Sequence, residues 1–154
     1  MASSRTKGAA VGGALVALVG GAEGLRQNAY PDPATHGKPW TICYGHTGDV
    51  HPGDKFSLDE CKALLLTDLE VYARGVEKCV SGAITDGQYV AFVSFAFNVG
   101  VGTFCKSGVA RLTNAGQPKA ACDNLLKYNR AAGVVFPGLT KRRERERAYC
   151  LRDL

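Results

Sequence analysis

Residues 89–99 read Tyr-Val-Ala-Phe-Val-Ser-Phe-Ala-Phe-Asn-Val, apolar on nearly every side of a helix, and follow Thr85-Asp86-Gly87-Gln88, which can cap one. Such a helix belongs at the centre of a core. The other elements follow from it. Ser57-Leu58-Asp59-Glu60 is a capping box, and Leu58, Cys61, Leu65, Leu69, Tyr72 and Val76 recur at helical spacing to about Lys78. This predicts one long helix with a single apolar face. Gly100 and Gly102 end the central helix, a shorter helix is expected over 103–114, and Gly116 stops it. Pro118 suits the start of a helix running to about Arg130. Residues 133–138 read as a turn and 139–151 as the last helix. Strands are expected only within 40–55, so the chain reads as a mainly helical α+β protein. A small lobe with a short sheet and a helical lobe are joined by the helix from Ser57.

The 154 residues suit one domain of two small lobes, with no room for a separate binding module. The formal charge of +5 favours an anionic surface such as a bacterial envelope, but residues 141–147 alone hold five basic and two acidic side chains, a net of +3. Basic residues interleaved with aromatics are absent, so nucleic acid is not an expected partner. Six cysteines, at 43, 61, 79, 105, 122 and 150, are dispersed, with no Cys-x-x-Cys pair and no Cys/His cluster. Neither a zinc site nor any other metal is expected. An even, scattered set points to disulfides formed in an oxidising space such as the periplasm. Residues 1–7 form a short basic tail, and 8–22 carry no charge and are rich in Gly, Ala, Val and Leu. That run is shorter than the roughly 20 residues of a spanning helix and leads directly into Glu23. It reads either as the first helix of a domain covering 12–154 or as an export element.

The segment 23–47 is the most informative about chemistry. Glu23 follows the apolar run, Asp32 lies in Pro31-Asp32-Pro33, and Thr41 begins a β-branched, aromatic stretch after Gly37 and Pro39. A helix end, a loop and a strand each present one polar group. Glycosidic hydrolysis needs an acid for the leaving oxygen and a second carboxylate to activate water or stabilise an oxocarbenium-like transition state. Glu23 and Asp32 can supply both. The pattern Glu-Gly-Leu-Arg, Ala-Tyr-Pro-Asp-Pro, Trp-Thr-Ile-Cys-Tyr-Gly-His-Thr resembles that of the phage-type lysozymes, glycoside hydrolase family 24. The likeness continues through residues 91–100 and 137–147 and covers roughly 12–151.

This resemblance implies a lysozyme-like fold whose small lobe holds a short antiparallel sheet. It also implies a cofactor-free muramidase that cuts the β-1,4 bond between N-acetylmuramic acid and N-acetylglucosamine in peptidoglycan. Glu23 would be the general acid, Asp32 its partner carboxylate, and Thr41 the residue that holds water or supports Asp32. Three extra residues between Asp32 and Thr41, within 34–39, depart from the T-even phage pattern and bear on Thr41. Asn98 matches a cleft-facing position, and Tyr30 and Trp40 can stack on sugar rings or join the core. Arg142 or Arg143 would turn toward Glu23, and His46 is expected to bond Asp68 on the long helix. The family's layout brings Cys43 to Cys61, Cys79 to Cys105, and Cys122 to Cys150. Peptidoglycan glycan strands are the implied partner, with lysis of a phage host as the role and monomer as the default state. The periplasm is the expected compartment, reached after inner-membrane tethering by a signal-arrest-release element at 8–22 or, in the alternative, from the cytoplasm through a holin. The rival activities are a lytic transglycosylase and a catalytically inactive envelope-binding or phage structural protein.

Overall fold

The computed structural model describes residues 5, 8–33, 35 and 37–154. Apart from Arg5, the basic tail at 1–7 lies outside the described residues, as do Ala34 and His36 of the loop before Thr41. Helix α1 (Ala9–Glu23) leads into an antiparallel pair, β1 (Arg26–Pro31) and β2 (Trp40–Cys43). Helices α2 (Leu58–Cys79) and α3 (Asp86–Val99) follow, and both start on complete capping boxes, at Ser57/Glu60 and Thr85/Gln88. Then come α4 (Val101–Lys106), α5 (Gly108–Asn114), α6 (Pro118–Asn124), a small hairpin of β3 (Arg130–Ala131) and β4 (Val134–Val135), and α7 (Pro137–Arg152).

Helix α3 is the central element that its composition demands. Every residue from Gly87 to Ala96 is buried, and α7, α2, α1 and α4 surround it. Fully burying a side chain such as Phe92 or Phe95 is worth about 1.5–3 kcal/mol, so this helix anchors the core. Gly87 permits the closest approach: a Cβ there would lie 2.2 Å from the carbonyl oxygen of Tyr149 on α7. The same residue's amide donates to Asp153 Oδ2 at 2.9 Å. Helix α2 packs on β2 at one end and on α3 and α4 beyond it, so it connects the sheet to the helical part.

Several boundaries differ from the sequence expectations. The sheet is not confined to 40–55, because Arg26–Pro31 forms β1. That segment is mostly exposed and has no clean alternation, so pairing rather than burial pattern makes it a strand. Its register joins Tyr30 to Thr41 and Pro31 to Trp40, and its other edge takes hydrogen bonds with Asp54 and Phe56. The helix expected over 103–114 is two helices broken at Ser107, whose hydroxyl accepts from the Ala110 amide and thereby caps α5. The helix from Pro118 stops at Asn124 and tightens into a 3-10 turn, Leu125–Lys127, before β3. Residues 134–135 pair with 130–131, so the expected turn is partly a hairpin, and α7 starts two residues early on Pro137.

Three disulfides staple the elements: Cys43–Cys61 joins β2 to α2, Cys79–Cys105 joins α2 to α4, and Cys122–Cys150 joins α6 to α7. Among the described residues no helix is long and apolar enough to cross a membrane. Helix α1 instead buries Val11, Leu15, Leu18 and Val19 in the core.

Candidate active site

Glu23 is the last residue of α1, and the chain then turns away at Gly24, whose φ of 78° suits glycine. Its side chain stands on the wall of a cleft of about 690 Å³, with Gly45, His46 and Thr47 after β2, Thr67, Asp68 and Tyr72 on α2, and Phe97 and Asn98 at the end of α3. The cleft therefore lies where the sheet, the long helix and the central helix meet.

Helix α7 supplies the charges behind it. Arg142 and Arg143 are adjacent, so about 100° of helical rotation separates them and they serve different partners. Arg142 Nη1 donates to Glu23 Oε1 at 2.7 Å; the arginine side chain is 8% exposed and the glutamate side chain 31%. Arg143 is fully buried over the Phe95 ring, with Nε 2.7 Å from Glu146 Oε1. Its Nη2 donates to Asn98 Oδ1 at 2.9 Å. With its oxygen so occupied, Asn98 has its amide nitrogen left to donate into the cleft.

Glu146 was not evident as a site residue from sequence. It is fully buried, accepts from Ser94 Oγ at 2.6 Å, and lies 3.8 Å from Arg142 Nε. Burial pushes its carboxyl up to about 7, against the pull of Arg143, the Ser94 hydroxyl and Arg142. Burial likewise lowers Arg143, which Glu146 opposes; an arginine remains protonated all the same. A signal did exist in the sequence: Ser94 is a polar residue inside an apolar helix, and Arg143 and Glu146 stand three apart on one face of α7. Tyr72 was also missed as a cleft residue because its place on the apolar stripe of α2 reads as core. Its ring meets Phe97 edge-on at 5.0 Å.

His46 Nδ1 lies 2.8 Å from Asp68 Oδ2, and Nε2 faces the Gly48 carbonyl at 2.8 Å. This pair ties the loop after β2 to α2 on the floor of the cleft. Asp32 directly follows β1, is half-buried, and its carbonyl accepts from the Gly37 amide. Thr41 is 7% exposed and its hydroxyl points to the Pro39 carbonyl at 3.4 Å. Neither Asp32 nor Thr41 lines the volume around Glu23 and Asn98. Trp40 borders a separate depression of about 670 Å³ with Val50, His51 and Thr47, and Thr47 belongs to both hollows. Tyr30 is half-buried and is covered by the Arg26 guanidinium at 4.1 Å, so its ring face is occupied on that side. No group of His, Cys, Asp and Glu among the described residues could hold a metal ion.

The phage lysozyme family model matches residues 20–146. The chain is 42% identical to an endolysin of Bacillus phage B103 over 87% of its own length, and it spans about half, 51%, of that relative. It is 37% identical to the SAR-endolysin of Enterobacteria phage P21, covering 93% of this chain and 92% of the relative. Among solved structures, the muramidase domain of SpmX from Asticaccaulis excentricus is similar, with a TM-score of 0.79 and 34% identity. That likeness covers 90% of this chain and 95% of the other.

Proposed function

This chain belongs to the phage lysozyme family, and we infer that it is an endolysin muramidase that hydrolyses peptidoglycan to lyse a phage host. The observation that carries the reading is Glu23, held by Arg142 at 2.7 Å on the wall of a cleft that Asn98 faces. In the proposed reaction Glu23 gives its proton to the glycosidic oxygen as the bond to N-acetylmuramic acid breaks. Asp32 activates the attacking water or stabilises the oxocarbenium-like sugar. Thr41, hydrogen-bonded within its own strand region, supports the Asp32 side of the site. The Asn98 amide nitrogen donates to an acetamido carbonyl or hydroxyl of the substrate, in the orientation that Arg143 imposes.

The product tells hydrolysis from its rival. Purified protein acting on isolated peptidoglycan is expected to release muropeptides with reducing N-acetylmuramic acid, read by mass spectrometry. A 1,6-anhydro product would instead mean lytic transglycosylation, and the absence of any cleavage would leave an envelope-binding protein.

For compartment, the SAR-endolysin relatives and the Gly/Ala-rich α1 support tethering at the inner membrane followed by release to the periplasm. Leu15 and Leu18 are buried in the core of the folded enzyme, so α1 cannot serve bilayer and core together. While it is in the bilayer, Glu23 is separated from Arg142; release would assemble the pair. Fractionation of cells expressing the chain without a holin is expected to show membrane-bound protein moving uncleaved to the periplasm. Wholly cytoplasmic, reduced protein would exclude this route.

A further inference from the structure

Beyond the Glu23 cleft the sheet borders a second hollow, of about 670 Å³, that the proposed reaction does not use. Trp40, the first residue of β2 and the single tryptophan of the chain, stands half-buried in its lining. Pro39, Val50 and Pro52 add further apolar surface, while Asp49 and His51 bring polar groups to the rim. Those two side chains are 95% and 69% exposed, and His51 Nε2 lies 3.7 Å from Asp49 Oδ1. That is too far for a hydrogen bond between them, so both keep polar atoms for a ligand. An indole beside a few polar groups suits a molecule with an apolar face and a polar edge. A pyranose ring has that form, with C–H bonds on its face and hydroxyl and acetamido groups around it.

We propose that Trp40 is the platform of a distal saccharide subsite, which holds a peptidoglycan glycan strand at a distance from the bond being cut. The proposal rests on the muramidase reading and adds to it a preference for long strands. Continuity names the occupant: Thr47 lines both this hollow and the cleft that holds Glu23 and Asn98, so one extended chain can pass between them. Lys38 and Pro39, also in the lining, come from the loop at 34–39 whose extra residues set this chain apart from the T-even pattern. The subsite is therefore built in part by what is particular to this sequence. A strand seated in the cleft presents its next sugars to Trp40 at high effective concentration, so the second contact tightens binding without a new encounter. A short sugar confined to the cleft gains nothing from it.

The indole itself supplies the readout, because no other tryptophan contributes to the emission. Glu23→Gln protein is titrated with peptide-free strands of alternating N-acetylglucosamine and N-acetylmuramic acid, from disaccharide to octasaccharide, by calorimetry and by tryptophan fluorescence. The octasaccharide is expected to bind about ten-fold more tightly than the disaccharide, and to move the emission to shorter wavelength as the ring leaves water. The disaccharide should leave the emission unchanged. Adding Trp40→Ala should collapse the length advantage toward unity, and Trp40→Phe should retain part of it, since a smaller ring still stacks. Emission that stays silent while calorimetry records octasaccharide binding overturns the subsite, as does a length advantage that Trp40→Ala leaves intact. Failure of the muramidase reading looks different: wild-type protein then cleaves no strand of any length, and none binds the Glu23→Gln protein. If a thermal melt shows that Trp40→Ala lowers folding stability, Trp40→Phe and the exposed His51→Ala carry the comparison, each expected to reduce the length advantage. The emission measurement needs no substitution at Trp40.

Discussion

Glu23→Gln is expected to lose roughly 10²–10⁴-fold in lytic rate, the contribution of a positioned general acid, while melting close to wild type. Glutamine preserves the length and shape of the side chain, and its carbonyl can still accept from Arg142 Nη1, which now bonds Glu23 Oε1 at 2.7 Å. What it lacks is the transferable proton. A turbidity assay on outer-membrane-permeabilised cells, paired with a circular-dichroism melt, separates chemistry from folding. Near-normal turnover by a folded Glu23→Gln protein would sink the mechanism. Asp32→Asn should also be severe. Thr41→Ala should be milder, since the hydroxyl is buried and directed at the Pro39 carbonyl rather than into the Glu23 cleft.

The second large effect is on stability and centres on Glu146. Removing one partner of a buried ion pair leaves the other charge without compensation, at a cost of about 3–5 kcal/mol. Glu146→Ala would do this to Arg143, which is fully buried, and would also strip Ser94 of its acceptor. Surface pairs such as Arg147–Asp123, more than 40% exposed on both sides, should contribute at most about 1 kcal/mol. The pH dependence has a definite sign. Burial raises the folded-state value of Glu146 from 4.5 to about 7, so the folded protein holds a proton that the unfolded chain releases. The associated stability is fully present below pH 4.5 and is lost as pH rises through about 7. Glu146→Gln removes this component. Urea titrations at pH 5 and pH 8 should therefore show a steeper loss for wild type than for Glu146→Gln. Parallel behaviour of the two proteins, or a Glu146→Ala protein as stable as wild type, would contradict the assignment.

The two effects are connected through α7. Arg142 reaches Glu23, Arg143 reaches Asn98, and Glu146 lies against both arginines. Weakening the buried carboxylate should consequently loosen both walls of the cleft, even though Glu146 does not line it.

The sequence by itself determined the elements whose signals are local. The capping boxes at Ser57 and Thr85 set where α2 and α3 begin, and the apolar circumference of 89–96 placed α3 at the centre. The motif around Glu23 led to the chemistry through its resemblance to the phage lysozymes, the family whose model matches residues 20–146. Tertiary structure alone decided what depends on partners distant in the chain. Arg26–Pro31 is a strand because β2 and residues 54–56 pair with it, not because of its own pattern. Which of two adjacent arginines meets Glu23 is a question of helix azimuth, and it is settled by how α7 packs on α3 and α1. Glu146 shares its sequence surroundings with the exposed Glu144, and only the packing of α7 removes it from water. Periodicity along the chain reports which face of a helix is apolar, but the partners of Arg142 and Arg143 include Glu23 and Asn98, 119 and 45 positions away, and only the fold brings those to α7.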